Sequence, residues 1–258
     1  MTETPLRGVG VLVTRPRRQA DGLVQAIEAR GGTAIRFPVI EARPLPQDEV
    51  IATAGTLQIP HIAILVSGNA VRYGLRFVGD AAIAVVGPAT ALSVEKSGGK
   101  VDIRSPDGFN SEQLLATPEL QDVAGKVVRI IRGNGGRELL ASTLRERGAV
   151  VEYLEVYRRV LPDYEAPELA DLVARWRAGD IDVVTVMSVE TLRHLVELLP
   201  AEGLDYLGKT RLVTPASRVI KAANGRFPGI PTTLAKGPQA GDMVDAIVAS
   251  VEPGHSDD

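Results

Sequence analysis

Hydroxyl side chains recur at one kind of place in this chain. Ser67, Thr90, Ser188 and Ser217 each follow a short β-branched run and open a segment of helical period. At such junctions free backbone N–H groups favour both a hydroxyl cap and a bound anion. Each of the four therefore has two readings, a cap for its own helix or a contact to substrate. Their place at the carboxyl ends of strands, the side on which open α/β sheets hold ligands, supports the second. Asn69 would join them as a side-chain donor. Arg15, Arg17 and Arg18 follow the first strand, and Arg132 and Arg137 flank the loop Gly133-Asn134-Gly135-Gly136. Paired arginines suit carboxylates, and the alternative is a solvated basic turn. The glycines could cradle a phosphate, but Gly-x-Gly-Gly is not the dinucleotide fingerprint, and the chain has no Gly-Lys-Ser/Thr loop. A nucleotide site is not expected. His61, His194 and His255 are isolated from one another, and His194 reads as a boundary residue on a helix carrying Leu192, Leu195, Val196 and Leu199. No metal is expected. Trp176 and Leu172 fit the buried face of another helix.

The elements that must hold these residues belong to an ordinary globular chain. It has 258 residues, 45% apolar and 24% charged, with 29 basic against 32 acidic side chains and a net charge of −3. That length suits two small domains, each able to bury a core. Cysteine is absent, which excludes disulfides, thiolate nucleophiles, iron–sulfur clusters and Cys-ligated zinc, and fits a reducing compartment. The near-neutral balance and 4% aromatics provide neither a basic field nor many stacking rings, so no nucleic-acid partner is expected. Residues 1–16 carry no signal-peptide pattern, and the longest apolar runs, such as 81–86, are too short to span a bilayer. The expected location is cytoplasmic, with no membrane contact, and residues 252–258 are expected to form a disordered tail.

Short β-branched runs alternate with helical patterns. Residues 9–14, 33–37, 62–66, 83–86, 127–132, 183–186 and 211–214 read as strands, and a Gly31-Gly32 stop closes the first helix over 17–30. Strands apolar at nearly every position suit a parallel sheet covered on both faces, so the fold class is α/β. The chain also repeats itself: Arg15 answers to Arg132 and Gly31 to Gly148 at one constant offset. The run Ile64-Leu65-Val66-Ser67 resembles Thr185-Val186-Met187-Ser188, and Val86-Gly87-Pro88-Ala89-Thr90 resembles Val213-Thr214-Pro215-Ala216-Ser217. Proline-bearing, extended passages occupy equivalent places after the first unit of each half. Cutting there predicts a discontinuous α/β domain from 1–37 plus 162–251, a second from 45–155, and linkers at 38–44 and 156–161.

Taken in order, Val13-Thr14-Arg15-Pro16, Ser67-Gly68-Asn69-Ala70-Val71, Val86-Gly87-Pro88-Ala89-Thr90-Ala91, Phe109-Asn110-Ser111-Glu112, Arg132-Gly133 and Glu155-Val156-Tyr157 resemble the uroporphyrinogen-III synthase family, over residues 8–251. The resemblance implies two small parallel-sheet, flavodoxin-like domains flanked by helices, a two-stranded linker and an active cleft between the domains. It implies a monomeric lyase of tetrapyrrole and heme biosynthesis. The reaction closes hydroxymethylbilane to uroporphyrinogen III, losing water and inverting the last pyrrole ring through a spiro intermediate, with no metal or organic cofactor. It maps Tyr157 to a tyrosine that assists departure of the hydroxyl, with interdomain packing as the alternative. Given the carboxylates of such a substrate, Arg15, Ser67, Asn69, Thr90, Arg132, Ser188 and Ser217 are the residues whose types and places suit binding them. The only expected partner besides substrate is the preceding pathway enzyme, in a transient contact. Val66, Met187, Thr214 and Arg218 depart from the family pattern. The alternative is a non-catalytic, two-lobed sensor of a tetrapyrrole-like ligand.

Overall fold

The computed structural model describes residues 4–105, 110–135 and 138–251. In chain order the elements are β1 (Gly10–Val13), α1 (Asp21–Ala29), β2 (Thr33–Arg36), β3 (Glu41–Pro44), α2 (Gln47–Thr56), β4 (Ile62–Leu65), α3 (Gly68–Gly74), β5 (Ala82–Val85) and α4 (Pro88–Lys96). They continue with α5 (Ser111–Leu115), α6 (Pro118–Gln121), β6 (Val127–Gly133), α7 (Leu139–Glu146), β7 (Val150–Val160), α8 (Ala166–Ala178) and β8 (Val183–Thr185). The last are α9 (Val189–Leu198), α10 (Ala201–Leu207), β9 (Arg211–Thr214), α11 (Ser217–Arg226), β10 (Thr232–Leu234) and α12 (Ala240–Val251).

The chain divides into two compact units, one of Met1–Glu41 with Leu161–Asp258 and the other of Ala42–Val160. In the first, the sheet order is β10-β9-β8-β1-β2, and every pairing is parallel. Alternate residues of its strands go to opposite faces. Leu12, Val184 and Leu212 pack with Trp176 of α8, Leu195 of α9, Leu207 of α10 and Val219 of α11. Val11, Val13, Val183 and Val213 pack on the other face with Leu23 and Ile27 of α1 and Met243 and Ile247 of α12. Burial on both faces explains why these strands are apolar at successive positions. The helix α8 starts on a capping box between Glu165 and Glu168 and stops at Gly179, whose φ of 80° only glycine adopts without strain.

In the second unit the order is β3-β7-β6-β4-β5, with β7, β6, β4 and β5 parallel. Ala63, Leu65, Val85 and Ile131 pack with Val71 of α3 and Val94 of α4. Ile62, Ile64, Val128 and Ile130 face Leu114 of α5 and Leu144 of α7. The passages expected as linkers include β3 and the end of β7, neighbours in this sheet, and Leu45 N–H donates to the Val156 carbonyl at 3.1 Å. The register of β6 on β7 slips once: Arg132 faces Glu155, and Gly133 faces Tyr157. The extra residue, Val156, makes a β-bulge, a device that re-aims the side chains beyond it.

His194 is not the boundary residue expected. It is buried, donates from Nδ1 to the Val39 carbonyl at 3.0 Å and accepts at Nε2 from Arg193 at 2.8 Å. Trp176 is buried, as expected, and its indole N–H reaches Thr210 Oγ1 at 3.1 Å. Phe109, Gly136, Arg137, His255 and the tail 252–258 lie outside the described residues.

Candidate active site

The second unit holds the phenol. Ser67 stands in extended conformation before α3, and its Oγ accepts from the Ala70 N–H at 3.1 Å. The same Oγ lies 3.1 Å from the Tyr157 hydroxyl. Tyr157, 7% exposed, reaches this point because the bulge in β7 aims its ring across β6 at Gly133. A Cβ on Gly133 would come within 2.5 Å of that ring. Glycine at 133 is therefore a steric requirement of the tyrosine's pose, a role that its place in a glycine-rich loop conceals. Tyr73 packs against the phenol at 6.1 Å between ring centroids.

The other expected residues of this unit stand apart from that pair. Asn69, half-buried on the first turn of α3, makes no side-chain hydrogen bond to a described residue. Thr90 is not a cap: it sits on the first turn of α4, buried, with its hydroxyl turned back to the Val86 carbonyl at 3.4 Å. Gly87, at φ 93°, takes the cap position without a side chain to offer. Arg132 is largely committed inside the unit. It stacks on Tyr153 at 3.9 Å, bonds Glu138 at 3.2 Å and pairs with Glu155 at 3.7 Å. The Tyr153 hydroxyl also donates to Glu138. That bond, with Arg132 second, holds the Glu138 carboxyl below the usual carboxylate range. Burial, then the Glu138 contact, pushes the Tyr153 phenol up.

In the first unit, Ser188 caps α9 by accepting from the Thr191 N–H at 3.1 Å, and its second bond goes to the Thr191 hydroxyl at 2.9 Å. Ser217 is the first residue of α11 rather than its cap. It is exposed, and Thr214 Oγ1 instead accepts from the Ala216 N–H at 3.3 Å. Arg15 donates to the Pro238 carbonyl, while its buried Nε has no partner among the described residues. Burial lowers the affinity of its guanidinium for the proton. An anion beside it would restore the solvation that burial removes.

Each unit is thus a parallel α/β layer with polar side chains gathered at the carboxyl ends of its strands. This is the arrangement of an α/β enzyme that holds a polar small molecule at strand ends. The family described as "Uroporphyrinogen-III synthase HemD" matches residues 21–245. The chain is similar to uroporphyrinogen-III synthase of Salmonella typhimurium, 36% identical over 228 residues, covering 83% of this chain and 90% of that one. It is similar as well to the Escherichia coli protein of that name, 33% identical over 225 residues with the same coverage. Among solved structures, uroporphyrinogen-III synthetase from Helicobacter pylori matches in fold, with a TM-score of 0.60 at 14% identity over 93% of this chain and 99% of that one. The chain belongs to the uroporphyrinogen-III synthase family and is a lyase-type enzyme of porphyrin biosynthesis. Among the described residues no helix is long and apolar enough to cross a membrane, and no cluster of potential metal ligands occurs.

Proposed function

We propose that the chain closes hydroxymethylbilane to uroporphyrinogen III, with loss of water and inversion of the last pyrrole ring through a spiro intermediate, as a cytoplasmic monomer and without metal or organic cofactor. Family membership over residues 21–245 carries this reading. The substrate also closes unaided to the uninverted isomer, so the enzyme must win a race. Holding the chain ends in one near-attack arrangement supplies much of the acceleration. Fixed dipoles stabilise the cationic spiro species and the charge that develops on the hydroxyl oxygen as its C–O bond breaks.

Within that scheme Tyr157 donates to the departing hydroxyl, a role suited to a phenol as a hydrogen-bond donor. Substrate carboxylates go to Arg15, Asn69, Ser217, Ser188 and Thr90, and to Arg132 by exchange for its internal acidic partners. Arg15 Nε and Arg132 Nε are both buried without a hydrogen-bond partner among the described residues. A non-catalytic tetrapyrrole sensor has no observation of its own to favour it. The test is to give purified, metal-stripped protein hydroxymethylbilane and separate the products. The inverted isomer should predominate, and formation of the uninverted isomer alone at the uncatalysed rate would refute the proposal.

A further inference from the structure

We infer that Ser67 acts on the reaction through Tyr157, as the positioning residue that receives the phenol's hydrogen bond before the hydroxyl leaves and returns one afterwards, and not by touching substrate. The inference rests on Tyr157 being the donor to the departing hydroxyl.

A serine hydroxyl has one hydrogen and two lone pairs. One lone pair of Ser67 Oγ is taken by the Ala70 N–H at 3.1 Å, and the Tyr157 hydroxyl lies at 3.1 Å on the same oxygen. Either hydroxyl can donate across this contact, and under this inference the phenol fills the second lone pair in the resting site. Once the phenol gives its proton away, only the Ser67 hydrogen remains to bridge the 3.1 Å gap, and it turns onto the phenolic oxygen. The Ala70 N–H polarises that donor, because a hydroxyl that accepts a bond donates a stronger one.

The step balances. The C–O bond of the hydroxymethyl group breaks with its electron pair on oxygen. That oxygen takes the Tyr157 proton and leaves as water, and Tyr157 is left as a phenolate held by the Ser67 O–H. The proton that ring closure expels from the pyrrole carbon returns to the phenolate. Once the phenol turns to the substrate's hydroxyl, Ser67 donates to Tyr157 and has no hydrogen left for a substrate carboxylate. This separates it from Asn69, whose amide keeps its donors free on the same turn.

The experiment measures kcat, KM, isomer ratio and thermal midpoint for the wild type, Ser67→Ala, Ser67→Thr, Tyr157→Phe and the double variant of Ser67→Ala with Tyr157→Phe. Ser67→Ala should lower kcat about tenfold with KM little changed, the scale of losing part of a general-acid contribution. Ser67→Thr, which keeps cap and donor, should restore most of it. The double variant should be no slower than Tyr157→Phe alone, since both changes then remove one device. An equal loss of kcat from Ser67→Ala in both backgrounds, or a rise in KM in place of the fall in kcat, would overturn the inference. So would wild-type kcat in Ser67→Ala with only a lower thermal midpoint, the mark of a cap alone. If Tyr157→Phe itself keeps wild-type turnover, the reading beneath fails and the inference with it. If Tyr157→Phe is slow and Ser67→Ala is not, this inference alone fails.

Discussion

Ser67 and Ser188 occupy the same corner of two similar units and do different things. Both are extended residues between a strand and a helix, and both accept from the N–H three residues on at 3.1 Å. Strand spacing repeats too: Gly10 pairs with Thr33 in one sheet as Val127 pairs with Val150 in the other. The second bond of Ser188 stays on its own helix, at Thr191, whereas that of Ser67 reaches a phenol 90 residues away. The cap is what the repeated fold requires. The phenol is what one copy adds, and it depends on a bulge in β7 and on a glycine in β6.

The largest break in that comparison should come from Gly133→Ala. The added methyl enters the Tyr157 ring, so the ring must leave Ser67 or the strands must part. A loss of about 1–3 kcal/mol in urea unfolding is expected from overpacking. It should come with a fall in kcat as large as that from removing the hydroxyl. Unaltered stability and turnover would mean that the ring's pose is not fixed by β6.

Next come the two caps. Ser67→Ala and Ser188→Ala should each cost about 1 kcal/mol, the usual worth of a helix N-cap. Asp at either position should retain most of it, because a carboxylate also accepts from the helix N–H. The kcat of the two alanine variants should differ, with Ser67→Ala the slower. Equal kcat values would erase the distinction between the units.

The smallest effect concerns Tyr164 in the first unit, which stacks on Phe37 at 4.4 Å and donates to the Pro38 carbonyl at 2.9 Å. Burial, chiefly, pushes its phenol up to about 12. The unfolded value is near 10, so the folded state holds the proton more tightly. This stabilisation is complete below pH 10 and is lost as pH rises toward 12. With the ring only about half buried, it should amount to no more than about 1 kcal/mol after solvent screening. Urea midpoints at pH 9 and pH 11.5 should show a steeper fall for the wild type than for Tyr164→Phe, and parallel falls would remove Tyr164 as the cause.

The sequence makes the parallel strands legible because residues such as Ile62, Ala63, Ile64 and Leu65 are buried on both faces and apolar without a break. It does the same for the caps at Ser67 and Ser188, because capping is one of the two readings a serine between a strand and a helix offers. The strand β7 is less legible. Glu152, Glu155, Arg158 and Arg159 interrupt its apolar residues, and Pro162 lies just beyond it, so its end reads as a connector. Thr90 and Ser217 look like caps in a linear reading, yet local geometry gives the cap positions to Gly87 and Ala216. His194 has a long-range partner in the Val39 carbonyl that helical periodicity cannot reveal. The Ser67–Tyr157 contact is invisible for the same reason. It comes from the register of β6 on β7, which no local pattern encodes.

The most direct test of this account is single-turnover kinetics with separation of isomers for Tyr157→Phe beside the wild type. The hydroxyl is lost and the ring kept, so unfolding free energy should stay within about 1 kcal/mol, the usual net worth of one hydrogen bond. Turnover should fall about tenfold to a hundredfold, the scale of lost general-acid assistance when water partly substitutes. Wild-type turnover with a wild-type isomer ratio would contradict the account, taking Tyr157 out of the chemistry and leaving substrate positioning to carry the reaction.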